Sequence, residues 1–244
     1  MDGIIIVNKP AGWTSFDVVA KIRNLTRIKK VGHSGTLDPM ATGVLPIFLG
    51  KATKSIPYFL NGDKGYSSDM VLGVKTDTGD ADGKVIMTND KCQMSNEGVI
   101  QIFNKYIGEI MQTPPMYSAV KINGERLYKL ARKGIEVKRE PRKIQIYDLR
   151  ITHGDTPIAS GGRITFSVIC SKGTYIRQLA MDIGDDLGCG AHLSRLVRTY
   201  SHPFHLSQAH EMDAIVTLAK IGQLSTIVLS PADMIEGGGV TING

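Results

Sequence analysis

An α+β fold around one mixed sheet is predicted by two features of this sequence. Segments of period two and segments of period three to four follow one another without the regular strand-helix-strand rhythm of a doubly wound sheet. With 244 residues, 42% of them apolar, the chain is long enough to bury a full core as one large domain.

The first strand is read in "GIIIVNKPAGW", from Gly3 to Val7, stopped by Lys9-Pro10 and Gly12. Ser15 is placed to cap a helix whose apolar positions Phe16, Val19, Ile22 and Leu25 recur every third residue, with Val18 widening the stripe. A long glycine-punctuated loop follows, then a strand in "VLPIFLG". "YSSDMVLGV" puts Tyr66, Ser68, Met70 and Leu72 on one strand face, and "DTGDADG" makes an acidic turn. Ser95 opens a helix carrying Val99, Ile102, Phe103 and Tyr106. "ERLYKLARKG" is a short helix with Arg132 and Lys133 in its last turn and Gly134 just beyond. Strands are read in "RKIQIYDLRIT", "RITFSVIC" and "LSRLVRTYS", and "SKGTYIRQLAMDIGDDLG" turns into a helix ended by Gly188. Two short apolar segments, around Ile215 to Ile221 and Ile227 to Leu229, close the chain before the "EGGGVTING" tail.

Composition narrows the function. Lys and Arg number 29 against 23 Asp and Glu, a formal charge of +6, which favours an anionic partner such as nucleic acid without requiring one. Cys92, Cys170 and Cys189 are an odd set with no CxxC spacing, so neither a disulfide framework nor a cysteine zinc site is expected. The N-terminus carries only four consecutive aliphatic residues and no later run approaches a membrane span, so a soluble, cytoplasmic protein is expected.

Residues 29 to 54, "KKVGHSGTLDPMATGVLPIFLGKATK", hold one acid, Asp38, in a basic, turn-prone segment. Common motifs fail here on spacing. Gly32-His33-Ser34-Gly35 brings the second glycine one position early for a nucleophile elbow. Gly43 to Gly50 encloses six residues instead of four, and Ala52 follows Lys51, so no P-loop is present. "TGDADGKVIMTN" imitates a calcium loop but offers Thr78 first and Asn89 twelfth, and reads instead as a solvated hairpin turn. His202, His205, His210 and Glu211 are interrupted by Pro203 and read as surface or RNA-facing, so no metal is expected. On local pattern alone Asp38, before Pro39, is a turn initiator.

Three further stretches change that reading. "VNKPAGWTS", "QTPPMYSAVKINGERLYKLARKG" and "SKGTYIR", together with the Asp38 loop and in this order, resemble the bacterial tRNA pseudouridine-55 synthases, from about Gly3 to about Leu229. The RNA-guided branch of archaea and eukaryotes carries a similar loop, and Ser34 looks more like that branch. "MATGVLPIFLGKATK" and "PPMYSAVKINGERLY" look like the stand-alone bacterial enzymes.

The resemblance implies a pseudouridine synthase fold, a mixed and largely antiparallel sheet flanked by helices with a catalytic cleft. It places the catalytic domain at 1–229 and leaves 230–244 as a short tail, without a complete C-terminal RNA-binding domain of the PUA type, which leaves activity expected and puts the grip on the rest of the tRNA in doubt. The implied reaction isomerises the T-loop uridine, position 55, of tRNA by cutting the C1′–N1 bond and rejoining through C5, without a cofactor. Asp38 is carried over as nucleophile or base and Arg177 as its partner. Tyr66 would stack on the extruded uracil, Tyr175 and Leu196 would close the pocket, and His33 would contact the T-loop. Tyr117 reads equally as a buried aromatic or an RNA contact. Lys9, Lys51 and Lys54, with Lys21, Arg23, Lys29 and Lys30, fit phosphate contacts. The partner is the tRNA T-arm; no membrane or protein partner is called for, and a monomer is expected. A rival reading is a non-catalytic RNA-binding or RNA-folding protein.

Overall fold

The computed structural model describes residues 1–89, 93–122, 124–154, 158–159 and 162–231. Cys92 and most of the expected tail lie outside these. In chain order the elements are β1 (Gly3–Lys9), α1 (Ser15–Thr26), β2 (Val31–His33), β3 (Thr42–Leu49), α2 (Ile56–Leu60), β4 (Lys64–Leu72), β5 (Val74–Thr76) and β6 (Val85–Thr88). There follow β7 (Gln93–Met94), α3 (Asn96–Lys105), β8 (Gly108–Gln112), β9 (Lys121–Ile122), β10 (Glu125–Arg126), α4 (Leu127–Arg132), β11 (Arg142–Gly154) and β12 (Ile158–Ala159). The last are β13 (Arg163–Cys170), α5 (Ile176–Asp186), β14 (Ala191–Ser201), β15 (Phe204–His205), β16 (His210–Glu211) and α6 (Met212–Lys220). The chain divides into two compact units, Met1–Tyr66 with Val197–Gly244, and Ser67–Leu196. Strands β4 and β14 each contribute residues to both.

In the first unit the strand order is β16-β1-β3-β14, with β2 on β3 and β15 on β14. β1 runs antiparallel to β3 from Gly3↔Leu49 to Lys9↔Gly43, whereas β16 and β14 join in parallel, so this part of the sheet is mixed. All seven residues of β1 except Asn8 are buried, which explains its unbroken aliphatic run. Ile4, Ile6, Val44, Phe48, Phe59 and Phe204 form one core cluster. The Phe59 ring lies 5.3 Å from Phe48 and 5.4 Å from Phe204.

Helix α1 corrects one expectation. Thr14, not Ser15, is the cap: its hydroxyl accepts the Asp17 N–H at 3.1 Å, and the Asp17 carboxylate accepts the Thr14 N–H at 2.8 Å. The buried face is therefore Ser15, Val18, Val19 and Ile22, and Phe16 is 65% exposed. Ser15 is left free to serve the Asp38 loop.

In the second unit the order is β14-β4-β13-β11-β8, with β11 antiparallel to both β13 and β8. Ser68, Met70 and Leu72 are buried and Tyr66 half-buried, as the alternation in "YSSDMVLGV" predicts. Ser95 caps α3 by accepting the Gly98 N–H at 3.2 Å, and Val99, Ile102 and Phe103 face inward. The Phe103 ring meets Phe166 of β13 at 5.8 Å, nearly edge-on. The acidic turn does join a hairpin, β5 to β6, but it is not wholly solvated, because Asp80 is only 6% exposed.

Replacing Phe59 by Ala removes the ring that bridges Phe48 and Phe204 and is expected to cost about 3–5 kcal/mol. A urea denaturation midpoint close to that of the wild type would show that the cluster does not carry this part of the core.

Candidate active site

The sequence folds the segment around Asp38 by tying down both of its neighbours. On the N-terminal side the Ser15 hydroxyl accepts the Leu37 N–H at 2.9 Å and donates to the Leu37 carbonyl at 3.3 Å. On the C-terminal side the Pro39 carbonyl accepts the Gly12 N–H at 2.9 Å and Lys9 Nζ at 3.1 Å. The Asp38 carbonyl closes a turn onto the Ala41 N–H at 3.1 Å, and the Asn8 side-chain oxygen accepts the Gly43 N–H at 3.0 Å. Asp38 itself is half-buried. The Asp-Pro turn read from the sequence is real, and it is anchored from β1, the following bend and α1.

Lys9 is where the expectation fails. Expected to meet phosphate, it is 0% exposed, and its ammonium donates to the carbonyls of Pro10 at 2.8 Å, Trp13 at 2.6 Å and Pro39. An ammonium with three hydrogens and three carbonyl partners has none left for a ligand. Burial pushes it down to about 8; the Asp38 carboxylate opposes that fall, and the nearby Arg198 charge adds to it. Lys51 and Lys54, like Lys21, Lys29 and Lys30, are exposed, so these remain available to a polyanion.

His33, on β2, is half-buried, and a hydrogen bond with the Gly35 backbone favours its charged form. Burial first, and then the Arg198 charge, push its imidazole below the ordinary value. It is thus neutral at pH 7, suited to packing against a base more than to pairing with a phosphate. The Tyr66 hydroxyl is hydrogen-bonded to Arg198. Asp38, His33, Tyr66 and Lys9 are therefore gathered in one unit.

The second unit holds the other expected residues. Arg177, in the first turn of α5, is 4% exposed; it donates to the carbonyls of Thr78 at 2.7 Å and Tyr117 at 2.8 Å, and its Nε lies 3.5 Å from the Asp80 carboxylate. Asp80 in turn accepts from the Thr78 hydroxyl at 2.6 Å and the Asp82 N–H at 3.2 Å. Tyr175 precedes α5 and is held through its peptide: the Gln112 side chain accepts its N–H at 2.8 Å and donates to its carbonyl at 3.0 Å. Leu196 is buried in β14. Tyr117 contributes its carbonyl to Arg177, while its hydroxyl lies 3.5 Å from Asp77.

Ser15 and Asp80 were read in the sequence only as a helix cap and as part of an acidic turn, and two residues with evident roles were not singled out at all, Gln112 and Arg198. Of these two only Arg198 left a trace, sharing strand parity with Leu196 in "RLVRT".

A carboxylate in an anchored loop, with the buried cations Lys9 and Arg198 in the same unit, defines a candidate site built from side chains. Among the described residues no three His, Cys, Asp or Glu side chains cluster as metal ligands. The Tyr200 hydroxyl pairs with His202 at 2.8 Å, and the Tyr200 ring packs 4.6 Å from that of His205.

Residues 23–176 match the model of the TruB family pseudouridylate synthase N-terminal domain, and residues 177–234 that of the tRNA pseudouridylate synthase B C-terminal domain. The tRNA pseudouridine synthase B of Geobacter sulfurreducens is 45% identical over 235 residues, which is 96% of this chain and 76% of the relative. That of Clostridium tetani is 51% identical over 215 residues, 88% of this chain and 73% of the relative. Among solved structures, a Cbf5-Nop10-Gar1 complex superposes with a TM-score of 0.72 at 31% identity, covering 93% of this chain and 60% of that one. An H/ACA RNP bound to a substrate RNA containing 2′-deoxyuridine gives 0.69 at 28% identity, covering 93% of this chain and 59% of that one. The chain belongs to the TruB family of pseudouridylate synthases. Against both RNP structures it spans less than two thirds of the matched chain.

The depressed Lys9 ammonium carries a signed prediction. Between about 8, its folded value, and 10.5, its ordinary one, the unfolded chain binds the extra proton. Folding is then favoured as pH rises through that window, and the cost of the buried charge is fully present below it. In urea titrations across this range the wild type is expected to gain stability relative to Lys9→Met. A constant difference would show that Lys9 does not titrate there.

Proposed function

We propose that this protein isomerises a uridine of the tRNA T-loop, at position 55, to pseudouridine, with Asp38 as the reacting group. The observation that carries the reading is the anchoring of Leu37 and Pro39 on either side of Asp38 by Ser15, Gly12 and Lys9, a degree of fixation that a surface turn does not need. The family, and relatives named as tRNA pseudouridine synthases, support the substrate class.

The chemistry cuts the bond between ribose C1′ and uracil N1, turns the base and joins C1′ to C5; C5 then gives up its proton and N1 takes one up, so atoms and electrons balance without a co-reactant. Glycosidic cleavage usually employs two carboxyl groups. Here one is acceptable, because the charge on uracil leaving through N1 spreads onto two carbonyl groups and depends less on a proton donor. Attack on C1′ and removal of the C2′ proton both require an ionised carboxylate held against the sugar. A uridine in a folded loop must first be unstacked, at a cost of a few kcal/mol; Tyr66 stacking on the uracil, and Tyr175 and Leu196 as apolar walls, return part of it. Arg177 pairs with Asp38 in this proposal, and Asp80 is the carboxylate that already attends Arg177 within its own unit. Neutral His33 packs against the T-loop. Exposed Lys51 and Lys54 meet phosphate. The 45% and 51% identities to tRNA pseudouridine synthases B, against 31% and 28% to the RNP structures, favour a stand-alone enzyme over an RNA-guided subunit.

Asp38→Asn is expected to abolish pseudouridine formation in a T-arm transcript while RNA affinity stays within a few-fold. Full turnover by that variant refutes the assignment, and binding with no turnover by the wild type favours the RNA-folding alternative. Tyr66→Ala is expected to slow single-turnover isomerisation by about 100-fold or more with a much smaller loss in binding; equal losses in rate and affinity would mark Tyr66 as structural.

A further inference from the structure

Among the described residues one of the largest fully buried side chains is a charged one, Arg198 of β14, 1% exposed. Its Nε donates to the Val44 carbonyl at 2.7 Å, its Nη2 donates to the Gly35 carbonyl at 3.1 Å, and it is hydrogen-bonded to the Tyr66 hydroxyl. All three acceptors are neutral. Burying a guanidinium without a carboxylate is costly, and an apolar side chain of similar volume commonly fills such a site at lower free energy. Stability of the fold therefore does not account for this charge.

Its contacts do suggest an account. Gly35 and Val44 lie on either side of Asp38, three residues before it and six after. Gly43, at φ +102°, sits against the Arg198 backbone so closely that a Cβ there would collide with it, and the two residues are paired in parallel register. Gly35, at φ +94°, brings its backbone against the guanidinium, with Nη1 3.4 Å from where a Cβ would stand. The two left-handed glycines let the loop close on one cation from both ends.

We propose that Arg198 is a positioning residue for isomerisation. Its planar fork binds both ends of the Asp38 loop to the Tyr66 hydroxyl, so that the reacting carboxylate and the ring that stacks on the uracil move as one body. This inference rests on the roles given above to Asp38 and Tyr66. A guanidinium suits the task because its donors leave in fixed, divergent directions, which an ammonium cannot reproduce. The buried charge also depresses both Lys9 and His33, so its field spans the site it organises.

The test is a double-mutant cycle of Arg198→Met and Tyr66→Phe, read by single-turnover pseudouridine formation and by RNA affinity, with Arg198→Lys alongside. Arg198→Met is expected to keep or raise the denaturation midpoint, to slow the reaction by about 100-fold and to leave RNA affinity within about threefold. Arg198→Lys is expected to recover less than about tenfold of that loss. Tyr66→Phe keeps the ring and is expected to slow the reaction by about tenfold, and the double variant to be no slower than Arg198→Met, because both changes break the same link. Wild-type rate in Tyr66→Phe, or fully additive losses in the cycle, would overturn the proposal, as would near-full recovery with Lys. If Arg198→Met does not fold, the Tyr66→Phe rate decides. Failure of the underlying reading is distinguishable, since it appears as a wild type that makes no pseudouridine or an Asp38→Asn variant that still does.

Discussion

The site depends on an ammonium that no solvent reaches. Lys9 closes β1 and hands its three hydrogens to the carbonyls of Pro10, Trp13 and Pro39, so the end of a core strand, the bend after it and the Asp38 loop are fastened at one atom. Three charge-assisted bonds hold the ion in place, and burial still pushes its pKa down, so they offset only part of the desolvation cost. The loop therefore inherits the rigidity of a core strand of its unit. A glycine-rich segment that would otherwise sample many conformations presents its one carboxylate in a fixed place.

Cations in this protein divide into two populations with different physics. Lys9, Arg177 and Arg198 are buried and each donates to at least two backbone carbonyls, so they shape the polypeptide. Lys21, Lys29, Lys30, Lys51 and Lys54 are exposed and their charge is screened by salt within about 10 Å. The net charge of +6 counts both populations alike, so the formal charge overstates what a polyanion meets at the surface.

Much of the fold was legible in the sequence because burial writes itself into periodicity. "RITFSVIC" is β13 residue for residue, Ser95 caps α3 as read, and "YSSDMVLGV" hides Ser68, Met70 and Leu72. Short pairings such as β9 with β10 and β15 with β14 were not legible, since two-residue strands have no period to detect. Adjacent hydroxyls at Thr14 and Ser15 are equally good caps on paper; the stripe read from spacing holds at Val18, Val19 and Ile22, whereas Phe16, in the first turn, is exposed. Around the site the local signal was the Asp38-Pro39 turn, which the bond from the Ala41 N–H to the Asp38 carbonyl closes, while a reacting role for Asp38 came only from the family resemblance. The site was not legible where a charge is buried by distant chain: Lys9 before Pro10 looks like a surface turn until β1 and the loop enclose it, and Asp80 looks like hairpin acid until Arg177 arrives from α5.

Gln112 ends β8, the outermost strand in its order, and grips the Tyr175 peptide with both halves of its amide. The mouth of α5 is thereby tied to the rim of the sheet, where fraying begins. When that rim opens, Tyr175 loses its anchor in the same event, so amide protons at the two places are coupled in their exposure to solvent.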